Sequence, residues 1–212
     1  MQYKDINELI TGGESTTVEF KRKISKPMKI AKELVAFANT KGGHLIVGID
    51  DNGTIYGIDS EKYEVESIEF CCNHLISPPI EPNIQIMSLK GKYIVICYIA
   101  PSEHKPHYLL DDEDNTKQAY VRVGEKSVPA SKEMTKILHA LNPSSKPVTI
   151  YIGEMEKRFF AYLEKYERGT VNDFSKLVNI SKRRAHRMIV NLVRAGVLAI
   201  HCSASGDYYT LV

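Results

Sequence analysis

Three acidic residues in the first quarter of the chain have the type and spacing to support metal-dependent chemistry. Glu14 precedes a predicted strand, Glu19 lies within it, and Asp50, with Asp51 as a competitor, follows a run of apolar residues. Carboxylates gathered at strand ends can hold Mg²⁺ or Mn²⁺. Such ions can activate water and stabilise the leaving oxygen in phosphodiester cleavage. The alternative is structural, because acidic residues also cap turns and pair with neighbouring cations.

A basic run that begins two residues after Glu19 could bind phosphate. It spans the end of the predicted strand and the start of a predicted helix, where free N–H groups attract phosphate. Clustered cations at such a place would bind backbone phosphates with a strong salt dependence. The alternative is an ordinary solvated helix face. The residues that we assign to nucleic-acid binding here are Lys21, Arg22, Lys23 and Lys26.

A second basic group lies in a predicted helix that follows Ser181 and ends near Ala195. The apolar residues of this helix fall on one stripe at helical spacing, so the opposite face must point outward. Guanidinium groups on that face suit phosphates and guanine edges, because their forked donors match paired acceptors. The alternatives are a solvated charged face and a dimerisation module. The predicted contacts are Lys182, Arg183, Arg184, Arg187 and Arg194.

Helices and strands of mixed order must position the first two groups, so we predict an α+β fold for residues 1–141. The nearly continuous apolar run before Asp50 is expected to be a central strand that is buried on both faces. Asp51-Asn52-Gly53 is a strong hairpin turn. The predicted elements are helix Ile6–Ile10, strand Thr17–Lys21, a helix starting at Pro27, strands His44–Ile49 and Thr54–Gly57, helix Ser60–Leu75, hairpin Asn83–Leu89 with Lys92–Ala100, strand Ala119–Val123, and a helix capped by Ser131.

The C-terminal segment differs in kind from the rest of the chain. A linker rich in Pro and Ser is predicted at residues 142–148, and a second domain at residues 149–212. Three predicted helices are followed there by a hairpin, which is the order of a winged helix-turn-helix. From Val148 onward, ten Lys and Arg stand against six Asp and Glu, giving a formal charge of +4, while the whole chain carries +2. This excess permits a nucleic-acid partner.

Composition and missing motifs exclude several functional classes. Four cysteines show neither metal-site nor disulfide-framework spacing, so we expect reduced thiols and a cytoplasmic location. No signal peptide is visible, and no apolar run approaches the ~18 residues that a membrane span needs. Neither GxxxxGK[ST] nor GxGxxG occurs, which disfavours ATP hydrolysis.

Several ordered motifs resemble the Schlafen AlbA-like domain family, which includes bacterial transcriptional regulators and the core of animal Schlafen proteins. The likeness covers roughly residues 5–141, and the tail resembles the winged helix often appended to bacterial members. The motifs are Glu14-x₄-Glu19-Phe20-Lys21, the segment Ala36–Gly53 with its Gly42-Gly43 turn and Gly48-Ile49-Asp50-Asp51, then Lys105-Pro-His-Tyr108 and Tyr120-Val-Arg122-Val-Gly124.

This resemblance implies a domain that binds nucleic acid, and it adds Arg122 to the predicted contacts. In animal Schlafens with ribonuclease activity, the catalytic carboxylates occupy the positions that are Glu14, Glu19 and Asp50 or Asp51 here. The same three positions would hold Mg²⁺ or Mn²⁺ if this chain were a nuclease. Active animal forms combine two copies of the domain in one chain, whereas this chain has one, so a homodimer is expected.

Three hypotheses follow. The leading one is a cytoplasmic bacterial DNA-binding transcriptional regulator. The alternative is an Mn²⁺- or Mg²⁺-dependent nuclease that acts on RNA or single-stranded DNA. A dimerising adaptor that binds no nucleic acid is the third.

Overall fold

The computed structural model describes residues 3–111, 116–142, 149–203 and 206–212. The chain divides into two compact units, Met1–Pro129 and Ala130–Val212. This division falls earlier than the boundary predicted after residue 141. All of the predicted linker except residue 142 lies outside the described residues. In the described part of the chain, every helix is too short or too polar to span a bilayer.

The first unit is organised around a four-stranded sheet. The elements of this unit are α1 (Tyr3–Gly12), β1 (Val18–Lys21), α2 (Pro27–Asn39), β2 (Gly43–Val47), α3 (Glu61–His74), β3 (Ile76–Ser77), β4 (Asn83–Leu89), β5 (Lys92–Ile99), β6 (Tyr108–Asp111), β7 (Thr116–Gln118), β8 (Tyr120–Val123) and β9 (Lys126–Pro129). The strand order in the sheet is β1-β2-β5-β4, in which only the β1–β2 pair is parallel.

Apolar side chains cover both faces of this sheet, as the nearly continuous apolar run of β2 predicts. Leu45 and Val47 point to the face covered by α2 and α3, where they join the largest core cluster. Ile46, between them, points to the other face and packs with Phe20 of β1 and Ile6 of α1. The strand that precedes Asp50 is therefore an interior strand between β1 and β5.

The predicted return strand Thr54–Gly57 is not formed. Only one isolated bridge, between Ile49 and Ile55, continues the pairing beyond β2. The reason lies in the backbone of Gly48, whose φ of +104° turns the chain out of the strand. The Gly48 carbonyl then accepts hydrogen bonds from the N–H groups of Tyr56 and Gly57, both at 2.9 Å. Asp50 and Asp51 thus lie in an irregular turn.

The buried Asn39 attaches the later strands to α2. Its Nδ2 donates to the carbonyls of His107, at 2.9 Å, and Tyr120, at 3.0 Å. Its Oδ1 accepts from the His107 N–H at 2.8 Å. Because these residues lead into β6 and β8, the amide fixes both strands against the end of α2. This arrangement brings β8, and with it Arg122, over the helix.

The second unit has its own core, centred on Phe159, Phe174, Ile189 and Tyr209. Ile137 joins this core, so the helix that carries it belongs to the second unit and not, as predicted, to the first. Three further helices and a two-stranded antiparallel sheet follow in the predicted order. The elements are α4 (Lys132–Ala140), α5 (Glu154–Tyr166), α6 (Val171–Leu177), α7 (Lys182–Arg194), β10 (Leu198–His201) and β11 (Tyr208–Leu211).

Candidate nucleic-acid interface and acidic cluster

Glu14 and Glu19 are brought together by Lys21. The Lys21 Nζ lies 2.6 Å from Glu19 Oε1 and 3.8 Å from Glu14 Oε1. Alternation along β1 places Glu19 and Lys21 on one face, and Glu14 reaches the same place because its Oε1 accepts the Phe20 N–H at 2.9 Å. Two of the three predicted catalytic carboxylates therefore converge, but on a lysine.

Arg122 occupies the inner side of this acidic cluster. Its side chain is 0% exposed, and its Nη1 lies 3.0 Å from Glu19 Oε2 and 2.7 Å from Glu33 Oε2. Its Nη2 donates to the Ser15 carbonyl at 2.6 Å. The Ser127 hydroxyl of β9 donates to the same Glu33 oxygen. The guanidinium thus ties β1, α2 and β9 together.

The predicted contact between Arg122 and nucleic acid stays a prediction, and the position of the side chain does not favour it. A guanidinium that is fully enclosed and bound to two carboxylates presents no donor to an external phosphate. Its plane lies over the Phe37 ring, with 4.9 Å between the guanidinium carbon and the ring centroid. Its role here is to hold Glu19 and Glu33. Glu33 was not among the predicted site residues, although a charged residue directly before the apolar Leu34 of an amphipathic helix was the available signal.

The charges of this cluster balance. Lys32 lies 3.1 Å from the outer Glu33 oxygen, as Lys21 does from the outer Glu19 oxygen at 2.6 Å. Each buried carboxylate therefore has a lysine on its outer oxygen and Arg122 on its inner oxygen. Burying charge is costly unless it is paired and hydrogen-bonded, and this pairing meets that condition for both acids. Glu19 has no oxygen left without a cation.

Burial raises the pKa of Glu14, and the neighbouring charges of Glu19 and Asp51 add to this rise. The Phe20 N–H and Lys21 oppose the rise but do not cancel it. Of the two candidates for the third catalytic carboxylate, Asp51 and not Asp50 contributes to the rise in the pKa of Glu14. The Asp50 carboxylate instead accepts the N–H of Asp51 at 3.0 Å and so helps to shape the turn.

The residues present do not fit a divalent ion in this arrangement. Within the described ranges, no group of three or more His, Cys, Asp or Glu side chains could hold a metal ion. Glu14 and Glu19 are bridged by Lys21, and the second Glu19 oxygen is bound to Arg122. We therefore derive no metal-dependent step from Glu14, Glu19 and Asp50.

The basic run after β1 does not form a continuous phosphate-binding stripe. Lys21 points toward the acids, while the Arg22 guanidinium stacks over the Tyr56 ring at 4.0 Å from its centroid. Arg22 and Lys23 line a cavity of about 390 Å³ that Glu64 also lines. Burial raises the pKa of Glu64, and the opposing effects of the Ile24 N–H and Lys23 do not cancel this rise. Lys26, the residue before α2, remains exposed.

The α7 helix carries several exposed cations that have no carboxylate partner in the described part of the chain. It holds five Lys and Arg and no Asp or Glu. The apolar stripe of the helix, including Ala185 and Ile189, is buried in the second core, as its spacing predicts. The described part of the chain supplies no ion pair to the exposed cations. These exposed cations are Lys182, Arg183, Arg184 and Arg187.

A groove of about 490 Å³ lies beside the N-terminal half of α7, and α4 contributes Lys136 to its lining. His186 lines the same groove and is buried, and neither ring nitrogen has a hydrogen-bond partner among the described residues. Burial and the charge of Lys136 lower the pKa of His186, while Glu133 opposes this. Lys136 was not among the predicted contacts, because its helix was predicted to belong to the first domain. Arg183, Arg184 and Arg187 also line the groove.

Arg194 is separated from this groove. It is half-buried in the last turn of α7 and does not line the groove with the other arginines. A cation in the last turn of a helix is favoured by the helix dipole and by the unpaired carbonyls there. The helix dipole therefore accounts for a cation at Arg194, but it does not account for the exposed cations at the start of α7.

Comparison with known proteins places the first unit in a family. The family model described as Schlafen, AlbA_2 matches residues 14–131, which is more than half of the 212 residues. The chain therefore belongs to the Schlafen AlbA_2 family. The matched segment includes the acidic cluster and Arg122 and ends before α4.

One curated relative and two solved structures show how far this likeness extends. An uncharacterized ATP-binding protein of Ureaplasma parvum is 36% identical over 87 residues, which are 38% of this chain and 24% of the relative. The chain thus spans about a quarter of that relative's length. A crystal structure of a Corynebacterium diphtheriae protein has a TM-score of 0.50 at 19% identity, covering 98% of this chain and 42% of the other. This match concerns the fold alone.

A third match is the solution structure of the N-terminal domain of a Nitrosomonas europaea protein described as related to the ATP-dependent DNA helicase RecG. It has a TM-score of 0.46 at 24% identity and covers 59% of this chain and 92% of the other.

Proposed function

We propose that this protein is a cytoplasmic DNA-binding transcriptional regulator whose second unit is a winged helix that contacts DNA through α7. The observation that carries the proposal is the exposed, unpaired row of cations on the N-terminal half of that helix. Lys182, Arg183 and Arg184 form its first turn, which contains no acidic residue. The four cysteines are free thiols, which agrees with the proposed cytoplasmic location.

Cations in the first turn of a helix are placed against the helix dipole. The N-terminus of a helix carries a partial positive charge, so each such cation costs about 0.3–1 kcal/mol instead of contributing that amount. Three consecutive cations at this position destabilise the helix, and no contact among the described residues accounts for them. A phosphate bound at this end would be attracted by the cations and by the free N–H groups together. We therefore assign the first turn of α7 to phosphate binding.

The order of elements supports a winged helix. α6 and α7 are joined by a short turn, and the β10–β11 pair follows as the wing. In helix-turn-helix proteins the second helix enters the major groove with its N-terminal residues on the base edges. Arg187 lies one turn beyond Arg183, on the same exposed side, so both side chains would reach the same stretch of duplex. Lys136 adds a charge from α4 beside them.

The test is a titration of labelled duplex DNA, followed by fluorescence anisotropy across a range of salt concentrations. Replacing Arg183 and Arg187 by Ala is expected to weaken binding at least tenfold and to reduce the salt slope by about 2, because each lost phosphate contact removes about 0.9 from it. The matched control replaces Lys157 and Lys165, two exposed cations of α5, and should bind like wild type. Unchanged binding by the Arg183→Ala/Arg187→Ala variant would remove α7 from the proposal.

A nuclease that acts on RNA or single-stranded DNA is the second candidate function. It is supported by the convergence of Glu14 and Glu19 on Lys21, because both acids occupy positions to which the family resemblance assigns catalysis. The test is a cleavage time course with Mn²⁺ or Mg²⁺. Asp51→Asn is the informative variant, because Asp51 is exposed and outside the Arg122 ion pairs. Cleavage that Asp51→Asn leaves intact would exclude this carboxylate set, and a wild-type protein that cleaves neither substrate would exclude the function.

A further inference from the structure

β4 leaves an unprotected edge on the four-stranded sheet. It is the outermost strand, and within the described ranges no strand pairs with its outer side. Edge strands normally carry a lysine, a proline or a bulge that prevents pairing with another chain. The sequence Asn83–Leu89 contains no charged residue and no proline, and its pairing with β5 runs from Asn83 to Leu89 without a bulge. The opposite edge strand, β1, has four residues, of which three are buried.

The turn that follows β4 shows which backbone groups point outward. Lys90 and Gly91 have φ values of 51° and 76°, as in a two-residue type I′ turn. In such a turn the Leu89 carbonyl accepts the Lys92 N–H. Because hydrogen-bonding direction alternates along a strand, every second residue counted back from Leu89 faces β5. The residues whose N–H and C=O point outward are therefore Ile84, Ile86 and Ser88.

We propose that this edge pairs with β4 of a second copy of the chain, antiparallel, about a two-fold axis at Ile86. In this register Ile86 faces Ile86 of the second copy, and Ile84 faces Ser88 of the second copy. All three outward-pointing residues of each strand then pair with outward-pointing residues, giving about six hydrogen bonds. The two four-stranded sheets become one continuous sheet. No other register with a two-fold axis uses all three.

The side chains favour the same partner. Ile86 is 50% exposed, and in the proposed register its side chain meets its own counterpart on the face of the sheet that also carries the exposed Tyr93. Pro82 and the Lys90-Gly91 turn end the pairing just outside the strand. A strand without charge has no repulsion against itself, which argues for a second copy over a charged peptide.

Such an assembly is an isologous dimer, in which the same patch serves both subunits. It specifies the surface of the homodimer predicted from the sequence. The inference does not depend on DNA binding, although a two-fold dimer carries two copies of α7, the number that a palindromic site requires.

Disulfide trapping tests the register. A hydrogen-bonded antiparallel pair has its Cα atoms about 5.5 Å apart, within the range that a disulfide bridges. Ile86→Cys should therefore give a covalent dimer under mild oxidation at low micromolar protein. Ile152→Cys is the matched control, because Ile152 has the same 50% exposure outside the sheet, and wild type reports any background from the native cysteines. Equal crosslinking of Ile86→Cys and Ile152→Cys would overturn the proposal.

Sedimentation velocity tests the dimer without crosslinking. Wild type should sediment as a dimer, and Ile86→Lys, which places two like charges at the axis, should sediment as a monomer with unchanged circular dichroism. Ile152→Lys should remain a dimer. A monomeric wild type at about 50 µM, or a dimeric Ile86→Lys, would refute the edge-to-edge contact. Neither result depends on whether Arg183→Ala/Arg187→Ala lowers DNA affinity, so the two proposals can fail separately.

Discussion

Replacing Arg122 by Met should destabilise the first unit more than any exposed substitution in it. Methionine keeps much of the volume of the side chain but removes both ion pairs, to Glu19 and Glu33, and the hydrogen bond to the Ser15 carbonyl. Breaking a buried ion pair by removing one partner costs about 3–5 kcal/mol, since the other charge stays buried. Two carboxylates are left here, but lysines still hold their outer oxygens. We therefore expect a loss of about 4 kcal/mol.

The measurement is urea unfolding followed by far-ultraviolet circular dichroism, together with the thermal midpoint, which should fall by roughly 10 °C. Arg22→Met is the matched control in the same unit. Arg22 is exposed and stacks on Tyr56, so its loss should cost about 1 kcal/mol or less. If the cost comes from uncompensated buried charge, the triple variant Arg122→Met/Glu19→Gln/Glu33→Gln should recover part of the stability lost by Arg122→Met alone. An Arg122→Met variant as stable as Arg22→Met would refute the reasoning.

Three further predictions concern single residues. Lys136→Ala should reduce the salt slope of duplex binding by about 1, measured by anisotropy; an unchanged slope would place Lys136 outside the interface. Because burial raises the pKa of Glu14 in the folded state, the folded protein binds the proton more tightly than the unfolded chain. The stability of wild type relative to Glu14→Gln should therefore fall as the pH rises above about 4.5, in urea titrations at several pH values; a constant difference would contradict this. Gly43→Ala should destabilise by about 2 kcal/mol or more, because the added Cβ would lie 2.3 Å from a Phe37 ring carbon; a midpoint near that of wild type would show that the ring moves aside.

Local patterns predicted the elements of this chain better than its contacts. The β4–β5 hairpin follows from two β-rich runs and the Lys90-Gly91 turn, and Ser131 caps its helix as predicted. The strand predicted at Thr54–Gly57 failed because the positive φ of Gly48, which ends β2, depends on the close approach of Gly57 and Ile94. This close approach is a tertiary contact, and a local sequence pattern does not predict tertiary contacts.

The same distinction explains what was missed at the acidic cluster. Glu19 and Lys21 are two residues apart, so alternation along a strand predicts their contact. Arg122 is separated from Glu19 by 103 residues and from Glu33 by 89. Periodicity does not reach across such distances. The motif that contains Arg122 marked the residue as functional but did not say whether it binds a ligand or stabilises the fold. Its burial and its ion pairs with Glu19 and Glu33 indicate that it stabilises the fold.

The two units of this protein use their charges differently, and this difference is the basis of the functional proposal. In the first unit, Lys21, Lys32 and Arg122 are matched by the carboxylates of Glu14, Glu19 and Glu33. These six charges are paired with one another within the fold. The exposed cations of α7, Lys182, Arg183, Arg184 and Arg187, have no carboxylate partner among the described residues, and the first three oppose the helix dipole. They can therefore attract an anion from outside the chain, which is why we assign nucleic-acid binding to the second unit although the family match ends before it.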